Sequence, residues 1–221
     1  MPTIAIVGAG PGLGLSIAKV FGDRGFKVAL IARSRDHLDT QVAQLAELGT
    51  TAAAFPADVS DRPALTAALE RAVAQFGAID VLEYSPYRGL SMVGALEVTV
   101  DNLEPQVTHH LYGAVTATQT VMPSMLKAGS GTLLFTTGGG AISPYPQLAT
   151  MNAAQAALRN WVLNLNGALA DTGVYAGNVA ISVFIGTSAP PGVPYAPPDE
   201  IAEVYWDLHT NRSQPERLIT A

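Results

Sequence analysis

Residues 3–14, which read TIAIVGAGPGLG, decide the fold, because an apolar run leads directly into a glycine-rich turn. The run Thr3–Val7 predicts a buried strand, and a helix is expected from about Gly12 to Asp23. Glycine lets the backbone turn sharply and approach a ligand closely. A helix that starts behind such a turn presents free N–H groups to a pyrophosphate. We therefore predict a dinucleotide site built from Gly8, Gly10, Gly12, Leu13 and Gly14. The alternative is a tight turn that binds no ligand.

Apolar runs continue to alternate with amphipathic stretches along the rest of the chain. Further strands are predicted at 27–32, 51–55, 79–84, 132–137, 179–184 and 217–220. Further helices are predicted at 36–48, 61–76, 102–126, 148–171 and 199–209. This order is typical of an α/β, Rossmann-like doubly wound parallel sheet of about seven strands with helices on both faces.

The chain shows no internal boundary, so residues 1–221 are expected to form a single dinucleotide-binding domain. The segment 187–198 is rich in proline and small residues, and we expect it to cover a substrate as a lid. Because proline donates no backbone hydrogen bond, residues 190–198 are expected to join no regular element.

Composition limits the classes of partner. The formal net charge is -6 and no basic run is present, which argues against nucleic acid. No apolar stretch reaches the roughly 18 residues of a membrane span, and the chain has no cysteine. Because the first strand begins at Thr3, no signal peptide is expected and a cytoplasmic location is predicted. A small-molecule substrate is expected, with no metal.

The second predicted strand ends at Ala32 and is followed by Arg33 and Ser34. Enzymes that use NAD usually place an acid here to accept a hydrogen bond from the ribose 2′-hydroxyl, and Ala32 supplies none. Arg33 can pair with a 2′-phosphate, and Ser34 can add a donor. These residues favour NADP(H) over NAD(H); a solvated arginine after a strand is the alternative.

Gly8, Gly12 and Gly14 have a spacing that resembles the glycine turn of the short-chain dehydrogenase/reductase family. Asp58-Val59 resembles the pair that holds the adenine in that family. The resemblance extends over nearly the whole chain and includes residues 79–82, Gly113, Gly131, 153–158 and 201–209. It implies a nicotinamide cofactor, a small carbonyl or alcohol substrate, and a homodimer or homotetramer paired through the helices predicted at 102–126 and 148–171.

The resemblance also implies that the family's catalytic residues are replaced. Met151 stands at the position of the catalytic tyrosine, and Gln155 at that of the lysine. Thr137 falls at the serine position and His110 at the asparagine position, while Tyr84-Ser85 replaces an asparagine pair and places Ser85 beside the cofactor. None of the three lysines follows a tyrosine by four residues, so no shift of the alignment restores the motif.

The remaining groups are candidates for altered proton chemistry. Thr137 is predicted to polarise a carbonyl, His110 to titrate near neutral pH, and Gln155 to hydrogen-bond a ribose hydroxyl. Met151 is expected to pack, and His109 to face solvent. Loops at the carboxyl ends of the strands are predicted to carry Tyr84, Tyr87 and Tyr145.

Each candidate has a purely structural alternative. His110 can pack beside Tyr112, Tyr145 can stiffen a loop between two prolines, and Tyr87 can form a pocket wall. Three functions stay open at this point: an NADP-dependent oxidoreductase with altered proton chemistry, a protein that holds NADP without turnover, and a non-redox enzyme that reuses the pocket.

Overall fold

Nine strands are present in the computed structural model, which describes residues 1–220. In chain order they are β1 (Thr3–Val7), β2 (Lys27–Ile31), β3 (Ala52–Ala54), β4 (Val81–Tyr84), β5 (Gly131–Gly138), β6 (Val174–Ile181), β7 (Phe184–Ile185), β8 (Tyr195–Ala196) and β9 (Glu216–Ile219). Seven of them form a parallel sheet in the order β3-β2-β1-β4-β5-β6-β9. The predicted doubly wound parallel sheet is confirmed.

Helices cover both faces of this sheet. They are α1 (Leu13–Asp23), α2 (Arg35–Glu47), α3 (Arg62–Phe76), α4 (Val100–Val107), α5 (Gly113–Ala128), α6 (Ala149–Ala168) and α7 (Pro198–Asn211). One core layer lies between the sheet and α3, α5 and α6, and the other between the sheet and α1, α2 and α7. Because both faces of the central strands are covered, β1 and β4 are buried along their whole length.

Strand β6 begins at Val174, five residues before the predicted start. Tyr175 and Asn178 hid this part of the strand, because polar side chains interrupt the apolar run. Both are buried with partners: the Tyr175 hydroxyl donates to the Gln214 carbonyl at 2.6 Å, and Asn178 donates to Glu216 at 2.9 Å. Buried polar groups of this kind are tolerated because they are hydrogen-bonded.

The proline-rich segment does join regular elements, so that prediction is wrong. Residues Tyr195–Ala196 form β8, which pairs with β7, and Pro198 is the first residue of α7. The fixed φ of proline suits the first turn of a helix, where a missing N–H costs nothing. A lid role for residues 187–198 stays a prediction. Within residues 1–220, no helix combines the length and apolar character needed to cross a membrane.

Candidate dinucleotide-binding and catalytic site

The turn after β1 is held tightly against the segment that follows β4. Gly8 has a φ of +103°, and its N–H donates to the Ile31 carbonyl at 2.9 Å. A Cβ at Gly8 would lie 2.5 Å from the backbone nitrogen of Pro86 and 2.6 Å from the carbonyl carbon of Ser85. Glycine alone suits both this backbone conformation and this space.

The N-terminus of α1 is open beside this turn. A Cβ at Gly10 would meet nothing nearer than 3.8 Å, and one at Gly12 would meet nothing within 4 Å. No side chain caps α1, and its first turn carries no acidic residue. Uncapped N–H groups and the helix dipole attract phosphate. These residues fit a bound pyrophosphate, in the place the sequence predicts.

Arg33 follows β2 as an exposed side chain, and within residues 1–220 its guanidinium forms no ion pair. Ser34 caps α2, since its hydroxyl oxygen accepts from the His37 N–H at 3.3 Å. The hydroxyl proton of Ser34 stays available for donation. A cation and a hydroxyl donor therefore stand together at the carboxyl end of β2.

Asp58 lies beyond β3 as an ionised acceptor. Burial raises the pKa of this carboxyl, but the Ser60 N–H, at 2.8 Å, and the charges of Arg88 and Arg33 outweigh burial and hold the pKa below its ordinary value. Arg88 contacts the same carboxylate at 3.4 Å. Val59 is buried in the core. The predicted contact of Asp58 and Val59 with an adenine stays a prediction.

Tyr84 is not on a loop, so that prediction is corrected. It is the last residue of β4, it is buried, and its hydroxyl donates to the His109 carbonyl at 2.5 Å. Burial raises the pKa of the Tyr84 hydroxyl well above its ordinary value. This contact lies where the predicted helix 102–126 widens into a π-helical turn, Thr108–Tyr112, between α4 and α5. Any Cβ at Gly113 would collide with the Tyr84 hydroxyl, which explains this glycine.

His109 is buried, and the prediction that it faces solvent is wrong. The π turn carries one more residue than an α turn, and both histidine rings point inward with their centroids 5.0 Å apart. Burial and the charge of Arg88 lower the pKa of His109 to about 4. Burial and its histidine neighbour lower the pKa of His110 to about 3. Both rings are neutral at pH 7, so the prediction that His110 titrates near neutral pH is wrong, whereas a catalytic role for His110 stays a prediction.

Thr137 is only 2% exposed, and its hydroxyl belongs to a buried network beneath α6. Asn178 donates to the Thr137 oxygen at 3.0 Å and to Glu216 at 2.9 Å. Arg159 holds the other end of this network through two 2.7 Å hydrogen bonds to Glu216. The predicted contact of Thr137 with a substrate carbonyl stays a prediction, and it requires the Thr137 hydroxyl to release the Asn178 side-chain oxygen, to which it donates at 3.3 Å.

Met151 and Gln155, which the sequence predicts to replace the catalytic tyrosine and lysine, lie on α6, and neither side chain is ionisable. Gln155 accepts the Gly138 N–H through its side-chain oxygen at 2.9 Å, and a Cβ at Gly138 would lie 3.0 Å from that oxygen. The strand position that faces Gln155 therefore has no side chain. Met151 is buried, as expected from its predicted packing role. The contact of Gln155 with a ribose hydroxyl stays a prediction.

Two of the predicted tyrosines do lie on loops at the carboxyl edge of the sheet. Tyr87 follows β4 and is 67% exposed, and Tyr145 follows β5 and is 50% exposed. The Tyr145 carbonyl accepts from the Asn152 side chain at 2.7 Å, which fixes the loop to the start of α6. Their roles as pocket wall or proton donor stay predictions.

Sequence reasoning missed a buried carboxyl group at this edge. Glu83 lies in β4 with 0% exposure, beside Ile6 of β1 and Leu134 of β5. Its carboxyl contacts Ser85 at 2.9 Å and Thr136 at 3.1 Å. The available signal was a glutamate that follows two apolar residues inside the predicted strand 79–84. Within residues 1–220, no group of three or more His, Cys, Asp and Glu side chains is placed to hold a metal ion.

Comparison with known proteins agrees with this geometry. The family model for short chain dehydrogenase matches residues 2–189. A fatty acyl-CoA reductase from Mycobacterium tuberculosis is 28% identical, over 97% of this chain and 75% of that protein. An oxidoreductase from Sarocladium schorii is 27% identical, over 78% of this chain and 68% of that protein.

Solved structures share the whole fold at lower identity. The L-sorbose reductase from Gluconobacter frateurii, complexed with NADPH and L-sorbose, superposes with a TM-score of 0.90 at 20% identity, over 99% of this chain and 94% of that one. A variant of actinorhodin polyketide ketoreductase with NADPH gives a TM-score of 0.89 at 22% identity, over 98% and 94% of the two chains.

Proposed function

Because the chain belongs to the short-chain dehydrogenase family, we propose that it is an NADP(H)-dependent oxidoreductase of a carbonyl or alcohol substrate with altered proton chemistry. The observation that carries the proposal is the open N-terminus of α1 behind the glycine turn, which fits a pyrophosphate. A nicotinamide cofactor would supply the hydride when bound. The glycine turn would hold its pyrophosphate, and Arg33 and Ser34 its 2′-phosphate.

The preference for NADP(H) is supported by the exposed guanidinium of Arg33, which forms no ion pair within residues 1–220. Two structural neighbours, the L-sorbose reductase and the polyketide ketoreductase, are complexes with NADPH, which favours the same cofactor here. No acid follows β2 directly, since Ala32, Arg33 and Ser34 occupy that position. The ribose 2′-hydroxyl of NAD would therefore lack its usual acceptor.

We expect the substitution Arg33→Asp to weaken NADPH binding by about 1.5–3 kcal/mol, the scale of a charged hydrogen bond, and to change NADH binding less. The reason is that the variant loses the cation and adds repulsion toward the 2′-phosphate. Titration calorimetry with both cofactors measures the effect. Arg35→Asp is the matched control, because Arg35 is exposed nearby but faces Asp39 at 3.6 Å. Equal binding of NADPH and NADH by the unmodified protein would refute the preference.

The substrate is proposed to be a neutral carbonyl compound, or the corresponding alcohol, with an apolar body. The stretches 128–158 and 172–198, which supply two of the loops at the carboxyl edge, contain no Asp, Glu, Lys or Arg. Large apolar side chains on the loops of this edge and on the short strands β7 and β8 are exposed, namely Tyr87, Leu90, Met92, Tyr145, Phe184 and Tyr195. A panel that runs from small activated carbonyls to long-chain aldehydes, monitored at the nicotinamide absorbance, tests this assignment.

The altered proton chemistry is supported by the residues on α6. Met151 donates no proton and Gln155 carries no charge, so the usual pairing of tyrosine and lysine is missing. We expect Met151→Tyr combined with Gln155→Lys to raise the reduction of a simple activated carbonyl by roughly tenfold, below the full value of general acid catalysis because the Thr137 hydroxyl is held by Asn178. Each single substitution serves as the control. An unchanged or lower rate in the double variant would show that the proton comes from elsewhere in the pocket.

One observation favours a second candidate, a protein that holds NADP without turnover. Thr137 is closed into a buried network, and the strand position facing Gln155 has no side chain. NADPH binding without oxidation across the carbonyl panel would support this candidate. A homodimer or homotetramer paired through α5 and α6, and a cytoplasmic location, stay proposals that light scattering and fractionation test.

A further inference from the structure

Glu83 stands out as a buried acid that no step described so far uses. It lies in the middle of the sheet with 0% exposure, in the strand beside β1. Burying an unpaired carboxylate is costly, and proteins retain such groups where they are neutral or functional. Within residues 1–220, no charged side chain shifts the pKa of Glu83, which is set by burial and by the hydrogen bonds with Ser85 and Thr136. Burial raises the pKa of Glu83 to about 8, so the acid carries a proton at pH 7.

Hydrogen bonds on one side of the acid fix where its proton lies. The Thr136 hydroxyl reaches Oε1 of Glu83 at 3.1 Å, and the Tyr205 hydroxyl contacts Thr136 at 2.5 Å. Burial and the nearby Glu83 hold the pKa of Tyr205 well above its ordinary value, so Tyr205 stays a donor. Donation then runs from Tyr205 through Thr136 to Oε1. The acid proton is left on Oε2, the oxygen that faces Ser85 at 2.9 Å.

Ser85 connects this acid to the cofactor turn. Its side chain is half-buried, its N–H donates to the Val7 carbonyl at 2.8 Å, and its carbonyl carbon lies 2.6 Å from the Cβ position of Gly8. Ser85 therefore stands at the carboxyl edge of the sheet, against the turn that fits a pyrophosphate. The Ser85 hydroxyl donates to Oε2 of Glu83 when that carboxyl group is ionised; when the carboxyl group is protonated the bond reverses, and the Ser85 proton is then available to a ligand at this edge.

We propose that Glu83 and Ser85 form a proton relay that serves the substrate oxygen, an inference that rests on the proposed reductase function. As hydride reaches the carbonyl carbon and the C=O π bond breaks, the substrate oxygen takes the Ser85 proton, and Ser85 takes the Glu83 proton. The carbonyl is reduced to an alcohol, the nicotinamide is oxidised, and Glu83 is left as a carboxylate. Water returns a proton to Glu83 through Ser85 after the alcohol leaves. Alcohol oxidation runs through the same steps in reverse.

The first readout requires no turnover. Infrared spectroscopy should detect a protonated carboxyl group whose band disappears with a midpoint near pH 8, the pKa that burial gives Glu83. The band should be absent in Glu83→Gln, which keeps the shape and an acceptor oxygen, and present in Glu47→Gln, a change at an exposed glutamate. A midpoint in the ordinary glutamate range would overturn the relay, because the acid would carry no proton at pH 7.

The second readout is the pH profile of carbonyl reduction. We expect the rate of the unmodified protein to fall above about pH 8. Glu83→Gln should lower the rate about 10²-fold at pH 7, and the rate of this variant should no longer depend on pH in this range. Ser85→Ala should lower the rate by a similar factor, and combining it with Glu83→Gln should lower the rate no further than either change alone. Ser85→Thr should keep the activity, because threonine keeps a hydroxyl group. A double loss equal to the product of the single losses would overturn the relay, because the two residues would act independently.

The results of these experiments distinguish a failure of the proton relay from a failure of the proposed reductase function. If calorimetry detects no NADPH binding, or if no carbonyl is reduced, the reductase function fails and the relay fails with it. If NADPH binds and carbonyls are reduced, but Glu83→Gln keeps the rate and the profile of the unmodified protein, only the relay fails.

Discussion

Replacing Gly8 by alanine should lower the free energy of unfolding by about 3 kcal/mol or more and abolish cofactor binding. The new methyl group would lie 2.5 Å from the Pro86 nitrogen, and that neighbour is backbone, which cannot rotate away. Strain at a positive φ and overpacking each cost about 1–3 kcal/mol. Urea unfolding and NADPH calorimetry measure the two losses. Any relaxation of the clash moves the turn off Ser85, so binding is lost even where the protein still folds.

Two other glycines separate the contributions to this effect. Gly25 also has a positive φ, +85°, but a Cβ there meets nothing within 4 Å. Gly25→Ala should therefore cost only the backbone strain, about 1–2 kcal/mol, without changing cofactor binding. Gly10→Ala has neither problem and should leave the unfolding free energy nearly unchanged. A Gly8→Ala variant as stable as Gly10→Ala would mean that the turn does not press against residues 85–86.

Local signals in the sequence were sufficient for the fold. The run Thr3–Val7 is buried along its whole length, and a parallel strand covered on both faces needs a continuous apolar sequence. The glycine turn is also a local signal, and the structure has it. The boundary of β6 was missed because Tyr175 and Asn178 find hydrogen-bond partners 38 or more residues away.

The carboxyl edge of the sheet was less predictable, because its polar groups depend on contacts between distant strands and helices. Tyr84 was assigned to a loop, yet its hydroxyl bonds the backbone of His109 and is associated with the π turn that interrupts a predicted helix. That turn also buries both histidines, which no helical periodicity indicates. Glu83 was counted within an apolar strand, although its neutral, hydrogen-bonded state requires Ser85 and Thr136 to be in place.

The stability of the protein should fall as the pH rises from about 4.5 to about 8, in a way that Glu83→Gln removes. Burial raises the pKa of Glu83 from 4.5 to about 8 in the folded protein. Between these values the folded chain holds a proton at Glu83 that the unfolded chain has released. Folding then takes up one proton, so each pH unit lowers the free energy of unfolding by about 1.4 kcal/mol. The stabilisation is complete below pH 4.5 and lost above about pH 8.

Between pH 5 and pH 8 the change sums to about 4 kcal/mol, a large part of the stability of an ordinary domain. Urea unfolding at each pH from 5 to 9 measures the free energy of unfolding. Relative to that of the unmodified protein, the value for Glu83→Gln should rise by about this amount, while the value for Glu47→Gln should stay equal throughout. The amide has no charge to bury, so its stability carries no such slope. A difference between the Glu83 variant and the unmodified protein that stays constant with pH would mean that Glu83 is ionised in the folded chain. In that case the acid has no proton to deliver to Ser85 at neutral pH.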